Sequence, residues 1–164
     1  MILCSFRDAV EEDSLWLKES LLEEDVLCWF PMGDEREVED AVRIWIGYNR
    51  LGSAFTALSP EGDICGMATL YIQPFKKYRH QCLFSIVVGK KWRGQGIGKQ
   101  IIEYLEHVAQ TKFHIEILHL EVYEGNPAQR LYARMGFKTF GKQPGFIKDR
   151  QGRYFAKNFM QKRL

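Results

Sequence analysis

The stretch that most constrains this chain runs from Cys82 to Val108. An almost unbroken apolar run, CLFSIVV, meets a glycine-rich turn, GKKWRGQGIGK, and then a helical stripe. Such a run reads as a central strand, the fourth of the chain, covered on both faces. Ile97, Ile101, Leu105 and Val108 recur at spacings of four and three, which places them on one side of a third helix lying across the sheet. Three glycines, Gly94, Gly96 and Gly98, stand at the join. They let the backbone approach a ligand closely, and the first free amides of the helix point the same way, where the dipole favours an anion. Lys90, Lys91, Arg93 and Lys99 crowd the turn, so a ligand with several phosphates, naturally a pyrophosphate, would meet amides and cations together. Two other phosphate motifs fail on spacing. G-x-G-x-x-G needs a glycine where Lys99 stands, and a P-loop needs Ser or Thr where Gln100 stands. Taken alone, such a turn more often uses glycine for geometry only, and a second motif, nearer the C-terminus, reverses that.

The rest of the chain supplies the partners of this strand and helix. Ile2 to Arg7 reads as a short first strand, and Val10, Ser14, Leu17 and Leu21 recur at helical spacing in an acidic segment ending by about Asp25. VLCWFPMG breaks the pattern, after which Asp34 looks like the cap of a second helix with Val38, Val42 and Trp45 on one face. From Ser53 the period changes to two. SAFTALS, a PEGD turn using Gly62, and ICGMATLYI together predict a β-hairpin. Beyond the third helix, EILHLEVY is a fifth strand, and Asn126 with Pro127 opens a fourth helix with Ala128, Leu131 and Met135 inward, stopping at Gly136. From Phe137, alternation around a KDRQGR turn gives a last antiparallel pair of strands. No repeat, linker or low-complexity tract interrupts the 164 residues, so residues 1–164 are expected to form one domain.

Charge and cysteine usage exclude several partners. Twenty-three Lys and Arg against 21 Asp and Glu leave a net charge of +2, too little for a general grip on nucleic acid, and Lys157, Lys162 and Arg163 on the last strand read as solubilising charge. No apolar run approaches the roughly 20 residues of a membrane helix, and MILCSFRDAVEED lacks the marks of a signal peptide, so a cytoplasmic protein with no membrane association is expected. Cys4, Cys28, Cys65 and Cys82 are widely spaced and the histidines show no ligand pattern. Free thiols and no metal are expected.

Two motifs carry the functional expectation. Arg93-Gly94-Gln95-Gly96-Ile97-Gly98 fits Q/R-x-x-G-x-G/A after strand four, and GNPAQRLYARMGF, from Gly125 to Phe137, fits an Asn-opened helix running to L-Y-x-x-x-G-F. With both marks in order, the sequence resembles the GNAT superfamily of N-acetyltransferases over roughly residues 52 to 161, the two earlier helices matching only in kind. The resemblance implies an α/β (α+β) fold: a single GNAT-like domain whose mixed, mostly antiparallel sheet of about seven strands is flanked by four helices, strands four and five being parallel and splayed. It implies acetyl-CoA as acetyl donor. The pantetheine arm would bond the backbone of Ile86, Val87 and Val88, the phosphates would sit on Arg93, Gly94, Gln95, Gly96, Ile97, Gly98 and Lys99, and Asn126 would lie on the pantetheine side. Tyr132 matches the tyrosine that protonates the departing thiolate in many such enzymes. One departure is that many members place the Asn seven residues before the Tyr, where this chain has Gly125.

A phenol with an ordinary pKa near 10 keeps its proton at neutral pH and can give it to a thiolate as the carbon–sulfur bond breaks. Near the start of its helix, one turn from Ala128, Tyr132 can face strand four. The acceptor must shed a proton before it attacks, because an ammonium has no lone pair. Many relatives use a Glu on strand four, at a position held here by Cys82, which reads as packing. His80, two residues earlier, would project to the same face if the strand extends that far, and Glu121 on strand five is a further candidate base. For the acceptor pocket the resemblance points to the connection of the first two helices, with Trp29 and Phe30. Glu23, Glu24 and Asp25 there either attract an amine or, as is commoner, face water. The expected function is transfer of the acetyl group to a primary amine, on a small molecule, a protein N-terminus or a lysine, by direct attack. The alternative is a catalytically inactive acyl-CoA-binding regulatory or interaction module, suggested by Cys82 at the usual base position. Pairing of two copies through the last strands is compatible with either.

Overall fold

The computed structural model describes residues 3–164, so the Ile2 end of the expected first strand lies outside the described residues. The strands are β1 (Ser5–Asp8), β2 (Ala54–Leu58), β3 (Ile64–Tyr71), β4 (Gln81–Val88), β5 (Ile117–Tyr123), β6 (Lys138–Lys148) and β7 (Tyr154–Arg163). They form one sheet in the order β1-β2-β3-β4-β5-β7-β6. Every neighbouring pair is antiparallel except β4 and β5, which are parallel. The helices are α1 (Ser14–Leu22), α2 (Glu24–Leu27), α3 (Glu35–Gly47), α4 (Ile97–Phe113) and α5 (Ala128–Arg134). The fold is the expected one: a mixed, mostly antiparallel seven-stranded sheet with helices on both faces.

Local chemistry explains most of these elements. Asp34 caps α3 by accepting a hydrogen bond from the Glu37 amide at 2.9 Å, and Val38, Val42 and Trp45 are buried as their spacing requires. All four residues of the α4 stripe are buried. This helix can lie close on the sheet because β3 carries Gly66 beneath it. A Cβ there would stand 2.7 Å from the Val87 carbonyl oxygen and 2.8 Å from Ile101 Cδ1.

Two expectations need correction. The segment up to Asp25 is not one helix, so among the described residues five helices flank the sheet instead of four. Val10 precedes a single 3-10 turn at Glu11–Asp13, and the helical run breaks at Glu23, whose ψ of 128° is extended. Strand four is also not covered along both faces. Cys82, Phe84 and Val87 are buried, whereas Leu83, Ser85, Ile86 and Val88 are half-buried. The physical reason is the pairing. β4 meets β5 only at Gln81↔Ile117, Cys82↔Leu118 and Leu83↔His119, and the rest of the two strands parts.

Strand alternation divides the core in two. Phe84, Leu118, Leu120 and Val122 pack with α4, Tyr132 and Phe137 on one face of the sheet. Met67 and Val87 pack under α1 and α3 with Leu17, Leu21, Val38 and Trp45 on the other. Each such burial stabilises by about 1.5–3 kcal/mol. On the second side, buried Asp13 ties three segments together. It accepts two hydrogen bonds from the Arg7 guanidinium, at 2.7 and 2.8 Å, one from the Thr56 hydroxyl at 2.6 Å and one from the Val10 amide at 3.0 Å.

Candidate active site

A cavity of about 1360 Å³ opens where β4 and β5 part. Its lining comes from both faces of the sheet. Phe84, Ile86, Leu120, Val122, Leu131 and Tyr132 contribute from the α4–α5 side, and Leu83, Ser85, Glu121 and Tyr123 contribute from the other, with Trp29, Phe30 and Trp45. The opening therefore passes through the sheet, so two ligands entering from opposite faces can meet between the strands.

On the α4 side the helix begins without a side-chain cap. Gly96 is its N-cap residue at φ +84°, a conformation that glycine adopts without penalty, and among the described residues no side chain caps the first amides at Ile97, Gly98 and Lys99. Open amides at the head of a 17-residue helix suit a diphosphate. Beyond Leu83 the β5-facing edge of β4 has no strand partner among the described residues, which leaves backbone groups near Ile86 to Val88, other than the Val88 carbonyl, available to an extended amide-bearing chain. Gly94, Gly96, Gly98, Lys99 and Asn126 line the same cavity. The Asn126 carboxamide oxygen accepts from the Ala128 amide at 2.9 Å and so starts α5, which leaves its NH₂ for a ligand.

Arg93 behaves differently from the sequence expectation. Its Nε donates to the Val88 carbonyl at 3.0 Å, Nη1 to Asp25 at 2.6 Å and Nη2 to Glu23 at 2.5 Å. The guanidinium is thus engaged with Glu23 and Asp25 at the α1–α2 break, while Glu24 and the 52%-exposed Asp25 side chain also face water, the commoner of the two readings. Lys91 likewise pairs with Asp63 at 3.0 Å. Gln95, expected at the phosphates, turns its amide to the Lys91 carbonyl at 2.6 Å and does not line the cavity.

Tyr132 is the buried residue of α5, 8% exposed, whereas Ala128, Leu131 and Met135 are half-buried against the cavity. Its ring meets Phe84 and Phe137 edge-on, each at 6.1 Å between centroids. Burial pushes its pKa well above the ordinary tyrosine value, so the phenol holds its proton. Among the described residues nothing forms a hydrogen bond with its hydroxyl, which is a donor without a protein acceptor at the edge of the cavity.

The candidate bases separate. His80 is exposed in the turn before β4, its carbonyl receiving the Glu116 and Ile117 amides at 2.8 and 3.1 Å. It stands at the closed end of the splay and is not part of the lining, because the strand begins only at Gln81. Cys82 is fully buried, and desolvation pushes its thiol up to about 12. Glu121 lines the cavity and forms an ion pair with Lys157. Tyr123 beside it is pushed up by burial and by the Glu121 charge.

Two features of the face opposite α4 differ from the sequence expectation. The Tyr71 hydroxyl donates to Ser85 Oγ at 3.2 Å within the lining. Lys157, expected as solubilising charge, has a side chain only 12% exposed and faces the cavity. Its strand phase was the available signal, since Phe155 and Phe159 share its face of β7.

Comparison with known proteins agrees with this geometry. The chain is 24% identical over 82 residues to the L-amino acid N-acetyltransferase AaaT of Escherichia coli, covering 49% of this chain and 51% of that protein. It is 30% identical over 106 residues to an L-methionine sulfoximine/L-methionine sulfone acetyltransferase of Pseudomonas aeruginosa, covering 63% and 60%. The matches thus span between half and three fifths of these relatives. Among solved structures, a phosphinothricin acetyltransferase of Sinorhizobium meliloti in complex with AcCoA superposes with a TM-score of 0.76 over 98% of this chain and 88% of that one, at 22% identity, a likeness of fold. The Acetyltransferase (GNAT) family profile matches residues 18–137, well over half of the sequence, and the chain belongs to that family.

Proposed function

We propose that this protein transfers the acetyl group of acetyl-CoA to the primary amine of a small acceptor by direct attack. The observation that carries the proposal is the uncapped start of α4 behind Gly96, opening into the same cavity as Tyr132 and Glu121. The amides of Ile97, Gly98 and Lys99 would hold the diphosphate, and the free edge of β4 near Ile86 to Val88 would hold the pantetheine amides. That edge also offers N–H donors to the thioester carbonyl, where negative charge grows as nitrogen attacks.

Glu121 and Tyr132 divide the proton work. The nitrogen sheds two protons in all, one to Glu121 before the attack and one after it, as the carbon–nitrogen bond forms and the carbon–sulfur bond breaks. Tyr132 gives its phenolic proton to the leaving sulfur and regains one, so the net release is a single proton. His80 stands outside the cavity and is left out of this scheme. A small acceptor is favoured by the named relatives, and Trp29 and Phe30 would wall it on the face opposite the coenzyme.

The test joins calorimetry with coenzyme A to a thiol-release assay over amino acids, polyamines, aminoglycosides and peptide N-termini. Binding together with turnover of at least one amine supports the proposal. Binding with no turnover across the panel makes the chain an acyl-CoA-binding module, and no binding removes both.

A further inference from the structure

The Glu121–Lys157 pair stands in a place where an ion pair contributes little to stability. Its two side chains are 39% and 12% exposed, within walls that are otherwise largely aromatic and aliphatic. Lys157 is drawn largely out of water while Glu121 stays partly open to it, and for such a pair the cost of desolvating the lysine offsets much of a modest attraction. Both groups lie on one face of the sheet, since Lys157 is directly opposite Tyr123 in the β5–β7 ladder and Glu121 is two residues before Tyr123. This is the face that carries Trp29, Phe30 and Trp45, away from α4 and its open amides.

The pair is also incompletely used. The Lys157 ammonium has three N–H donors. One goes to Glu121, and the Phe146 ring, 3.9 Å from the nitrogen at its centroid, takes up charge without accepting a conventional hydrogen bond. A donor is left for a ligand. Glu121 in turn has more acceptor capacity than one ammonium fills.

We infer that Lys157 and Glu121 select an acceptor bearing both charges of a free α-amino acid, Lys157 holding its carboxylate and Glu121 its ammonium. This rests on the acetyltransferase proposal and names its substrate class. A zwitterion entering here replaces one ion pair by two and leaves the net charge at Glu121 and Lys157 unchanged. A peptide N-terminus has no carboxylate on the same carbon, so it offers Lys157 nothing, and a polyamine brings a second cation towards it. The ammonium is thereby held beside the carboxylate that takes its proton.

The experiment compares L-methionine, L-leucine and L-phenylalanine with the primary amide of each, in the full chain and in Lys157→Met, Lys157→Arg and Glu121→Gln. Thiol release gives kcat and KM. Calorimetry on the coenzyme A complex gives acid and amide affinities without turnover, and a melting curve establishes that each variant is folded. The expected result is a preference of the unaltered chain for acid over amide of about tenfold or more in kcat/KM, the factor worth one charge-assisted contact. Lys157→Met should erase that preference through KM, Lys157→Arg should retain most of it, and Glu121→Gln should lower kcat most. Equal use of acid and amide by the unaltered chain overturns the inference, as does a folded Lys157→Met chain that still prefers the acid. A chain that acetylates nothing, yet binds acid over amide through Lys157, would sink the acetyltransferase proposal and with it the acceptor role, while upholding the recognition of an amino acid by this pair.

Discussion

Replacing Tyr132 by Phe separates chemistry from structure cleanly at this site. The ring is retained, and with it the edge-on contacts to Phe84 and Phe137. Only the hydroxyl is lost, and it has no hydrogen-bond partner among the described residues to leave stranded. Stability should therefore change by less than about 1 kcal/mol, which in a domain of this size moves the melting temperature by about 4 °C at most. Affinity for coenzyme A should stay within about threefold, since the open amides of α4 lie on another element. Turnover should fall by about 10²- to 10⁴-fold, the usual worth of a positioned general acid, or about 2.7–5.5 kcal/mol of barrier. Burial holds the Tyr132 pKa above its ordinary value, so Tyr132 adds no alkaline limb to the rate profile below about pH 10. A donor whose thiol is more acidic needs the proton less, and should narrow the gap between Phe and Tyr. Steady-state thiol release, calorimetry and melting curves on the two proteins measure all of this. A Tyr132→Phe rate within about threefold of the parent, or a fall in rate matched by an equal loss of coenzyme affinity, refutes the acid role.

Two further substitutions probe the cradle and the N-terminal junction. Gly96→Leu places a side chain at φ +84° over the open amides, so coenzyme A affinity by calorimetry should drop about tenfold or more while the strain costs about 1–2 kcal/mol of stability; unchanged affinity would remove the diphosphate from this turn. Burial pulls the Asp13 pKa up, but hydrogen bonds from Arg7, Thr56 and the Val10 amide outweigh it, so its folded value lies below the ordinary one. A lowered folded pKa means stability that is full above the unfolded value of about 4 and fades as pH falls through the folded one. Asp13→Asn should accordingly lose about 3 kcal/mol in urea unfolding at pH 7, and the difference from the parent should shrink towards pH 3; a gap that is constant with pH would show that the charge is not what matters.

How far the sequence reveals this molecule depends on the range of the forces involved. The α3 cap at Asp34, the α4 stripe and the β2–β3 hairpin rest on neighbours within a few residues, and each was legible. The break at Glu23 was not, because Arg93, which pairs with it, comes 70 residues later, from the turn after β4. Burial was over-read at β4 for a related reason. A strand that lines a cavity with Ile86 and Val88 has the same apolar letters as one that is covered, and only the loss of β5 beyond Leu83 tells them apart. The glycine turn proposed for the coenzyme was readable because glycine geometry and open amides are local properties. The acceptor side proposed above rests on Glu121 and Lys157 meeting across two strands, and in the sequence Lys157 is one more basic residue in a basic tail.

The engagement of Arg93 changes what the signature arginine does in this chain. Its guanidinium sits between two carboxylates and the Val88 carbonyl, three acceptors that use its planar fork from different sides. Two acids against one cation leave that cluster with a charge of about −1, which is unhelpful for attracting phosphate. In the proposed scheme the anion would therefore fall to the amides at the head of α4, which cost no reorganisation because Gly96 leaves them without a side-chain cap. Arg93 instead fixes two boundaries of the cavity at once: the end of β4 through Val88, and the α1–α2 break from which the chain runs on to Trp29 and Phe30. One side chain thus sets the spacing between the edge that would hold the thioester and the wall that would hold the amine. Reacting atoms must approach to about 3–3.5 Å, so a group that fixes that spacing bears on rate without touching either substrate.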